Sequence, residues 1–161
     1  MQKKQPGQWV LLCYRLPREP STPRITVWRN LKRLGVGQLA DGLVTLPADE
    51  RTREQLEWVA EQVLESGGDA SIWLAQPATL AHERQVVAAM KAARESEYQA
   101  VIDEAAATLG LDDRERGRVA SRLAAELGRI ERRDFFPPGH RDRARASVKA
   151  LTATPARKAA R

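Results

Sequence analysis

Short apolar runs alternate with amphipathic segments between residues 9 and 75, and proline or glycine marks most of the boundaries. The first run, Trp9–Leu16, ends at Pro17 and is apolar on both faces, which predicts a central, buried strand. Within this strand we expect Cys13 to be a small buried apolar residue. The remaining short runs then supply the other strands of a sheet.

Three further runs complete a four-stranded pattern. Residues 37–40 and 43–46 flank Asp41-Gly42, and Asp-Gly between two short apolar runs predicts a β-hairpin, which Pro47 ends. The segment Asp69–Ala75 has the length and the apolar content of a fourth strand.

The first amphipathic segment carries signals for both ends of a helix. Ser21 or Thr22 supplies an N-cap, Pro23 suits the first turn, and Gly35 stops the helix after Leu34. At about 100° per residue, one stripe of this helix is apolar and the opposite stripe is almost purely cationic. The apolar stripe contains Val27, Trp28, Leu31 and Leu34, and the cationic stripe contains Arg29, Lys32 and Arg33.

The second amphipathic segment predicts a helix that begins near Asp49 to Thr52 and ends at Gly67-Gly68. Its buried face contains Leu56, Val59, Ala60 and Val63, and its outer face contains Glu54, Glu57, Glu61 and Glu65. Trp58 also falls on the outer face, either as a rim residue of the fold or, as we favour, covered by another part of the protein or by a dimer partner.

The order strand–helix–strand–strand–helix–strand predicts an α+β fold, namely a ferredoxin-like antiparallel sheet with two helices on one face. Strand signals stop at Pro77, and the sequence becomes rich in Ala, Glu and Arg. Helices are predicted over 78–109, 113–133 and 141–151. We therefore expect a ferredoxin-like subdomain at 8–77, a helical extension at 78–151 packed on it, and a disordered basic tail at 152–161.

Charge is distributed unevenly along the 161 residues, which carry a net charge of +6. The net charge is +6 over 1–47, −5 over 48–77, −1 over 78–134 and +6 over 135–161. A basic pole favours polyanions such as nucleic acid, or an oxyanion. No apolar run approaches the roughly 18 residues of a membrane-spanning helix, and no signal-peptide core is present. We expect a cytoplasmic protein without a membrane partner.

The strongest candidate site is a cluster of basic residues on consecutive elements near the N-terminus. Its members are Arg15, Arg18, Arg24, Arg29, Lys32 and Arg33. Arginine forms bidentate contacts with phosphates and oxyanions, so the cluster predicts a DNA- or oxyanion-binding surface. The alternative is a solvated helix face. A second basic set, for which an ordinary basic tail is the simpler interpretation, contains Arg141, Arg143, Arg145, Lys149, Arg157, Lys158 and Arg161.

Signals for catalysis are weak. One cysteine and two histidines exclude an intramolecular disulfide and Cys-rich zinc or iron–sulfur ligation. No nucleophile elbow, phosphate loop or paired-histidine motif is present. Glu19 could act as a general base or metal ligand, but a lone glutamate in a proline-rich turn is more often solvated. We expect no enzyme activity, no cofactor and no metal site.

A longer pattern covers most of the chain. The segment Trp9–Ser21 is followed by Pro23-Arg24, by VWR at 27–29 and by LKRLG at 31–35. Further matching motifs are Leu46-Pro47, Arg51–Gln55, Trp58, Gly67-Gly68, Ser71–Trp73 and Arg133–Phe136. Over about residues 8–150 these motifs resemble the N-terminal domain of the chromate-resistance regulator ChrB.

The resemblance implies a cytoplasmic bacterial protein, a chromate-sensitive transcriptional regulator that controls a chromate efflux gene. The strand–helix pattern is also similar to the ferredoxin-like part of the phenylacetate repressor PaaX and of CRISPR-associated small nucleases, which often dimerise through that sheet. The nucleases place an aspartate at the end of the first strand, where this chain has Tyr14-Arg15-Leu16, which disfavours a nuclease. Full-length ChrB proteins carry a second domain, so the resemblance supports a regulatory module more firmly than chromate sensing.

These observations predict a homodimeric, DNA-binding transcriptional regulator that acts through its basic helix face. Its expected partners are DNA and chromate or a similar oxyanion. The alternative is an oxyanion-sensing or partner-binding accessory module that does not bind DNA. A nuclease or a redox enzyme is the least supported interpretation.

Overall fold

The computed structural model describes residues 5–153. In chain order the elements are β1 (Trp9–Arg15), α1 (Thr22–Leu34), β2 (Gly37–Ala40), β3 (Leu43–Pro47), α2 (Glu50–Glu65), β4 (Asp69–Ala75), α3 (Leu80–Thr108), α4 (Asp113–Arg132) and α5 (His140–Thr152). The predicted sequence of elements is confirmed within the described residues. Most of the expected tail, from residue 154 onward, lies outside them.

The four strands form one antiparallel sheet in the order β2-β3-β1-β4. The α+β class is therefore confirmed, and β1 occupies a central position as predicted. Asp41 and Gly42 form the turn between β2 and β3, and Gly42 has the positive φ of 72° that such a turn requires.

The chain divides into two compact units, and the division falls between Met90 and Lys91, inside α3. In the first unit, α2 packs on β1 and β4, and α1 packs on α2. Its core contains Val10, Leu12, Val27, Leu31, Val44, Leu46, Leu56, Val59 and Val63. The alternation of these residues along β1 and β3 indicates that α1 and α2 cover one face of the sheet.

The opposite face of β1 is only partly covered, and the prediction of a buried Cys13 is wrong. Cys13 is exposed, although it lies in the central strand. Near the other end of the strand, Trp9 is buried and its indole donates a hydrogen bond to Glu83 at 3.1 Å. Val86 and Met90 lie close to Gly37 on β2, which is separated from β1 by β3. The first turns of α3 therefore cover only the Trp9 end of this face, which the sequence of β1 could not show.

Two glycines lie against the main chain where β1 ends. A Cβ atom on Gly42 would overlap the carbonyl oxygen of Tyr14, and the Tyr14 N–H donates to the Gly42 carbonyl at 2.8 Å. A Cβ atom on Gly68 would overlap the carbonyl oxygen of Arg15 and lie 2.9 Å from Val63. Only glycine at positions 42 and 68 lets the β2–β3 and α2–β4 connections come this close to the main chain of Tyr14 and Arg15.

The second unit has its own core and a buried polar contact. The core contains Tyr98, Val101, Ala105, Ala120, Leu123, Leu127, Ile130, Ala144, Val148 and Leu151. The buried Tyr98 donates a hydrogen bond to the Asp134 carboxylate at 2.8 Å. Burial, followed by this hydrogen bond, raises the pKa of Tyr98, so the phenol stays protonated and donates.

Replacing the Tyr98 hydroxyl will destabilise the second unit. We expect Tyr98→Phe to lower the free energy of unfolding by about 1–2 kcal/mol, because the Asp134 oxygen loses its donor. Tyr14→Phe is the matched control, since no hydrogen bond of its hydroxyl is formed within the described residues. Urea denaturation measures both variants. Equal stability of the two would contradict a structural role for the Tyr98–Asp134 bond.

Gly117 offers the opposite test. It lies inside α4, and a Cβ atom there would meet nothing within 4 Å. Because alanine restricts the unfolded chain and favours helix, Gly117→Ala should raise the free energy of unfolding by about 0.5–1 kcal/mol. Thermal denaturation followed by circular dichroism checks this. A lower melting temperature would show that α4 needs the glycine.

Candidate nucleic-acid interface

The predicted basic cluster lies on one continuous stretch of chain in the first unit. The end of β1 holds Arg15, the following loop holds Arg18, and α1 holds Arg24, Arg29, Lys32 and Arg33. All six side chains are exposed. Within residues 5–153, none of the six has a carboxylate within 4.0 Å. None of the six cations is therefore neutralised by a direct ion pair within the described residues.

In contrast to these six cations, many arginines of the second unit form ion pairs. Glu97 bridges Arg94 and Arg133, with nitrogen–oxygen distances of 2.9 and 3.1 Å. Arg145 donates to Glu131 at 2.6 Å, and this bond lowers the pKa of Glu131. Arg116, Arg122, Arg129 and Arg141 also pair with acidic residues. Of the second basic set, Arg141 and Arg145 are thus paired, and Arg143 and Lys149 are exposed and form no ion pair within residues 5–153. Arg157, Lys158 and Arg161 lie outside the described residues.

The outer face of α1 carries three of the six cations. Arg29, Lys32 and Arg33 fall on the stripe opposite the buried Val27 and Leu31. No acidic residue occurs anywhere in α1, so no charge on the helix itself opposes these three cations. Such a stripe can contact successive phosphates of a polyanion.

Trp28 differs from its predicted place in the apolar stripe. It is 36% exposed, and the Lys32 ammonium lies 5.5 Å from the centre of its ring. α1 packs on α2, and Val27 and Leu31 are its buried residues. The indole instead lies at the edge of the helix, where it supports Lys32 by a cation–π contact.

Two of the other three cations face a different environment. Arg15 and Arg24 line an open groove of about 1250 Å³ where β1 ends and α1 begins. Its remaining lining includes Tyr14, Ser21, Ile25, Trp28, Asp41, Leu43 and Asp69. The cluster is therefore not one surface: Arg15 and Arg24 belong to the groove, whereas Arg29, Lys32 and Arg33 form the outer stripe. Arg18 is exposed in the loop between β1 and α1.

Charges of both signs meet in the groove. Burial raises the pKa of Tyr14, the Asp41 carboxylate raises it further, and the Arg24 guanidinium opposes this rise. Asp69 pairs with Arg15 in the β1–β4 register, but no ion pair joins them. Ser21 precedes α1 without a side-chain capping hydrogen bond, unlike Asp49, which accepts from Thr52 before α2. The sequence did not predict this groove, because its lining residues come from four separate segments of the chain. Only the Asp41-Gly42 turn indicated that any of these segments meet.

Groups for metal binding are not found among residues 5–153: no three His, Cys, Asp or Glu side chains there are placed to hold an ion. Glu19 is exposed in its loop. In the same part of the chain, no helix is both long and apolar enough to cross a membrane.

Fold and site together define a small α+β protein with a helical second unit and an unneutralised cationic surface. The chain belongs to the ChrB N-terminal domain family, described as "Protein ChrB, N-terminal", which it matches over residues 24–118. The matched part includes Arg24, Arg29, Lys32 and Arg33, and Arg15 and Arg18 precede it.

One relative supports the same assignment. The chain is 32% identical over 131 residues to Protein ChrB of Cupriavidus metallidurans, and the alignment covers 80% of this chain. It spans 40% of the length of that relative. No solved structure matches the chain.

Proposed function

We propose that this protein is a DNA-binding transcriptional regulator of bacterial chromate resistance, working in the cytoplasm without catalysis. The observation that carries the proposal is the outer stripe of α1: Arg29, Lys32 and Arg33 are exposed and have no acidic partner within the described residues. Membership of the ChrB N-terminal family supports the regulatory context.

The stripe suits backbone contacts rather than base reading. Residues 29, 32 and 33 lie within about one helical turn, so their side chains can reach neighbouring phosphates. Release of counterions from about three phosphates predicts that each bound stripe contributes about −3 to the slope of log K against log salt concentration. Sequence specificity then requires additional contacts, which we place in a dimer.

We further propose that the first unit is a ferredoxin-like subdomain and that the protein acts as a homodimer. The strand order β2-β3-β1-β4 with two crossover helices supports the subdomain. Two copies would present two cationic stripes related by a two-fold axis, which matches a palindromic operator.

A second candidate function rests on the groove. Arg15 and Arg24 could bind chromate or a similar oxyanion in an accessory module that does not touch DNA. Chromate or sulfate at millimolar concentration would then raise the melting temperature by mass action. An unchanged melting temperature would remove this candidate.

The decisive experiment measures binding to DNA from the gene's own upstream region by fluorescence anisotropy, with a scrambled duplex as control. It is run at two salt concentrations, with and without chromate. We expect preferential binding to the upstream duplex and release by chromate. Binding that is absent, or equal for both duplexes, would overturn the regulator and leave the accessory module.

A further inference from the structure

We propose that the groove between β1 and α1 binds a nucleoside phosphate, with its anion at Arg15 and Arg24 and its base against Trp28 and Tyr14. The groove opens at the point where β1 ends, and both arginines line it. Neither guanidinium has an acidic partner within 4.0 Å among the described residues. Two free guanidinium groups beside one opening form a suitable site for a phosphate.

The aromatic lining indicates a ligand larger than an inorganic oxyanion. Small-molecule sites commonly occupy about 300–1,000 Å³, and this open groove of about 1250 Å³ can hold such a molecule. Trp28 lines the groove with a partly exposed ring that already accepts a cation–π contact from Lys32. Tyr14 and Ile25 add apolar surface. A bare oxyanion would leave these side chains without contact, whereas a flat base would cover them.

The carboxylates of the groove favour a nucleoside phosphate over a simple polyanion. Asp41 and Asp69 line the same opening as the two arginines. Their charge opposes the binding of any anion, and a bare oxyanion or a run of phosphates has no donor groups that offset this repulsion. A nucleoside phosphate also carries hydroxyl and amino donors, and these can donate to the two carboxylates while the phosphate lies near Arg24. The mixed charge of the lining therefore favours a ligand that has both an anion and donors.

This site differs from the outer stripe that carries the proposed DNA contact. The groove contains none of Arg29, Lys32 and Arg33. Titration with mononucleotides tests the groove, and binding to duplex DNA tests the outer stripe. A negative result in one experiment therefore does not decide the other.

Isothermal titration of the full chain tests the proposal with adenosine 5′-monophosphate, uridine 5′-monophosphate, adenosine, inorganic phosphate and a short single strand. We expect saturable binding of the mononucleotides. Adenosine lacks the phosphate and inorganic phosphate lacks the nucleoside, so each should bind at least about tenfold more weakly than the mononucleotides.

Two variants assign the binding to the groove. Arg24→Gln removes one guanidinium and Trp28→Leu removes the stacking surface, and each should weaken mononucleotide binding about tenfold. The matched controls are Arg118→Gln, at another exposed helical arginine, and Trp58→Leu, at a tryptophan that is 51% exposed on α2. The controls should bind like the unaltered protein, and circular dichroism confirms that all four variants are folded.

The outcomes separate two sources of the ligand. Binding of mononucleotides that depends on Arg24 and Trp28 supports a free nucleotide. Binding of the single strand alone, with the same dependence, supports an unpaired nucleotide of a nucleic acid. Inorganic phosphate that binds as tightly as the nucleotides would overturn the proposal, and so would the absence of binding at millimolar concentrations.

Discussion

Reversing two charges on α1 will abolish binding to DNA without unfolding the protein. In Arg29→Glu/Arg33→Glu, two phosphate contacts are lost and two carboxylates face the DNA backbone. We expect the affinity to fall at least about 100-fold at physiological salt concentration. Both side chains are exposed and without acidic partners in the described part of the chain, so the melting temperature should change little. Fluorescence anisotropy and thermal denaturation measure the two properties.

The matched control is Arg114→Glu/Arg118→Glu on α4. These arginines have the same spacing, are exposed, and form no ion pair within residues 5–153. The control changes the net charge by the same amount, so it should lower the affinity only through the overall charge. If both double variants lose binding equally, the assignment of the stripe on α1 is wrong.

Alanine at Gly68 will destabilise the first unit more than any other change considered for it. The added Cβ overlaps the carbonyl oxygen of Arg15 in the central strand, so β1 or β4 must move. We expect a loss of about 3 kcal/mol in the free energy of unfolding, from strain and lost packing around Val63. Urea denaturation measures this loss.

Gly67→Ala controls for backbone conformation alone. Gly67 has a φ of 78°, and a Cβ atom there would meet nothing within 4 Å. Its replacement should therefore cost only the left-handed strain of about 1–2 kcal/mol. If Gly68→Ala lowers the free energy of unfolding no more than Gly67→Ala does, the close approach of Gly68 to Arg15 does not contribute to stability.

Features encoded by neighbouring residues could be predicted from the sequence. The Asp41-Gly42 turn, the stop at Gly35 and the start of α2 after Asp49 all depend on side chains close to their own backbone. The order of elements followed from these boundaries and from the change at Pro77. The division between Met90 and Lys91 falls inside a continuous helix, where the sequence has no boundary signal.

Features that depend on packing could not be predicted. Cys13 is apolar in pattern but exposed, because only part of that face of the sheet is covered. Trp28 fits the apolar stripe of α1, yet its ring is partly exposed beside Lys32 and the groove. The positions of the basic residues along the chain predict the cluster, whereas its separation into a stripe and a groove depends on where Tyr14, Asp41 and Asp69 meet.

The close approach of Gly42 and Gly68 to β1 fixes the backbone at the groove independently of the side chains that line it. Main-chain atoms of Tyr14 and Arg15 are held from two sides by main-chain atoms of the adjoining turns. The side chains that project into the opening, such as Arg24, Asp41 and Trp28, are not needed for these contacts. Relatives could therefore exchange these lining residues and acquire a different ligand while the scaffold beneath stays the same.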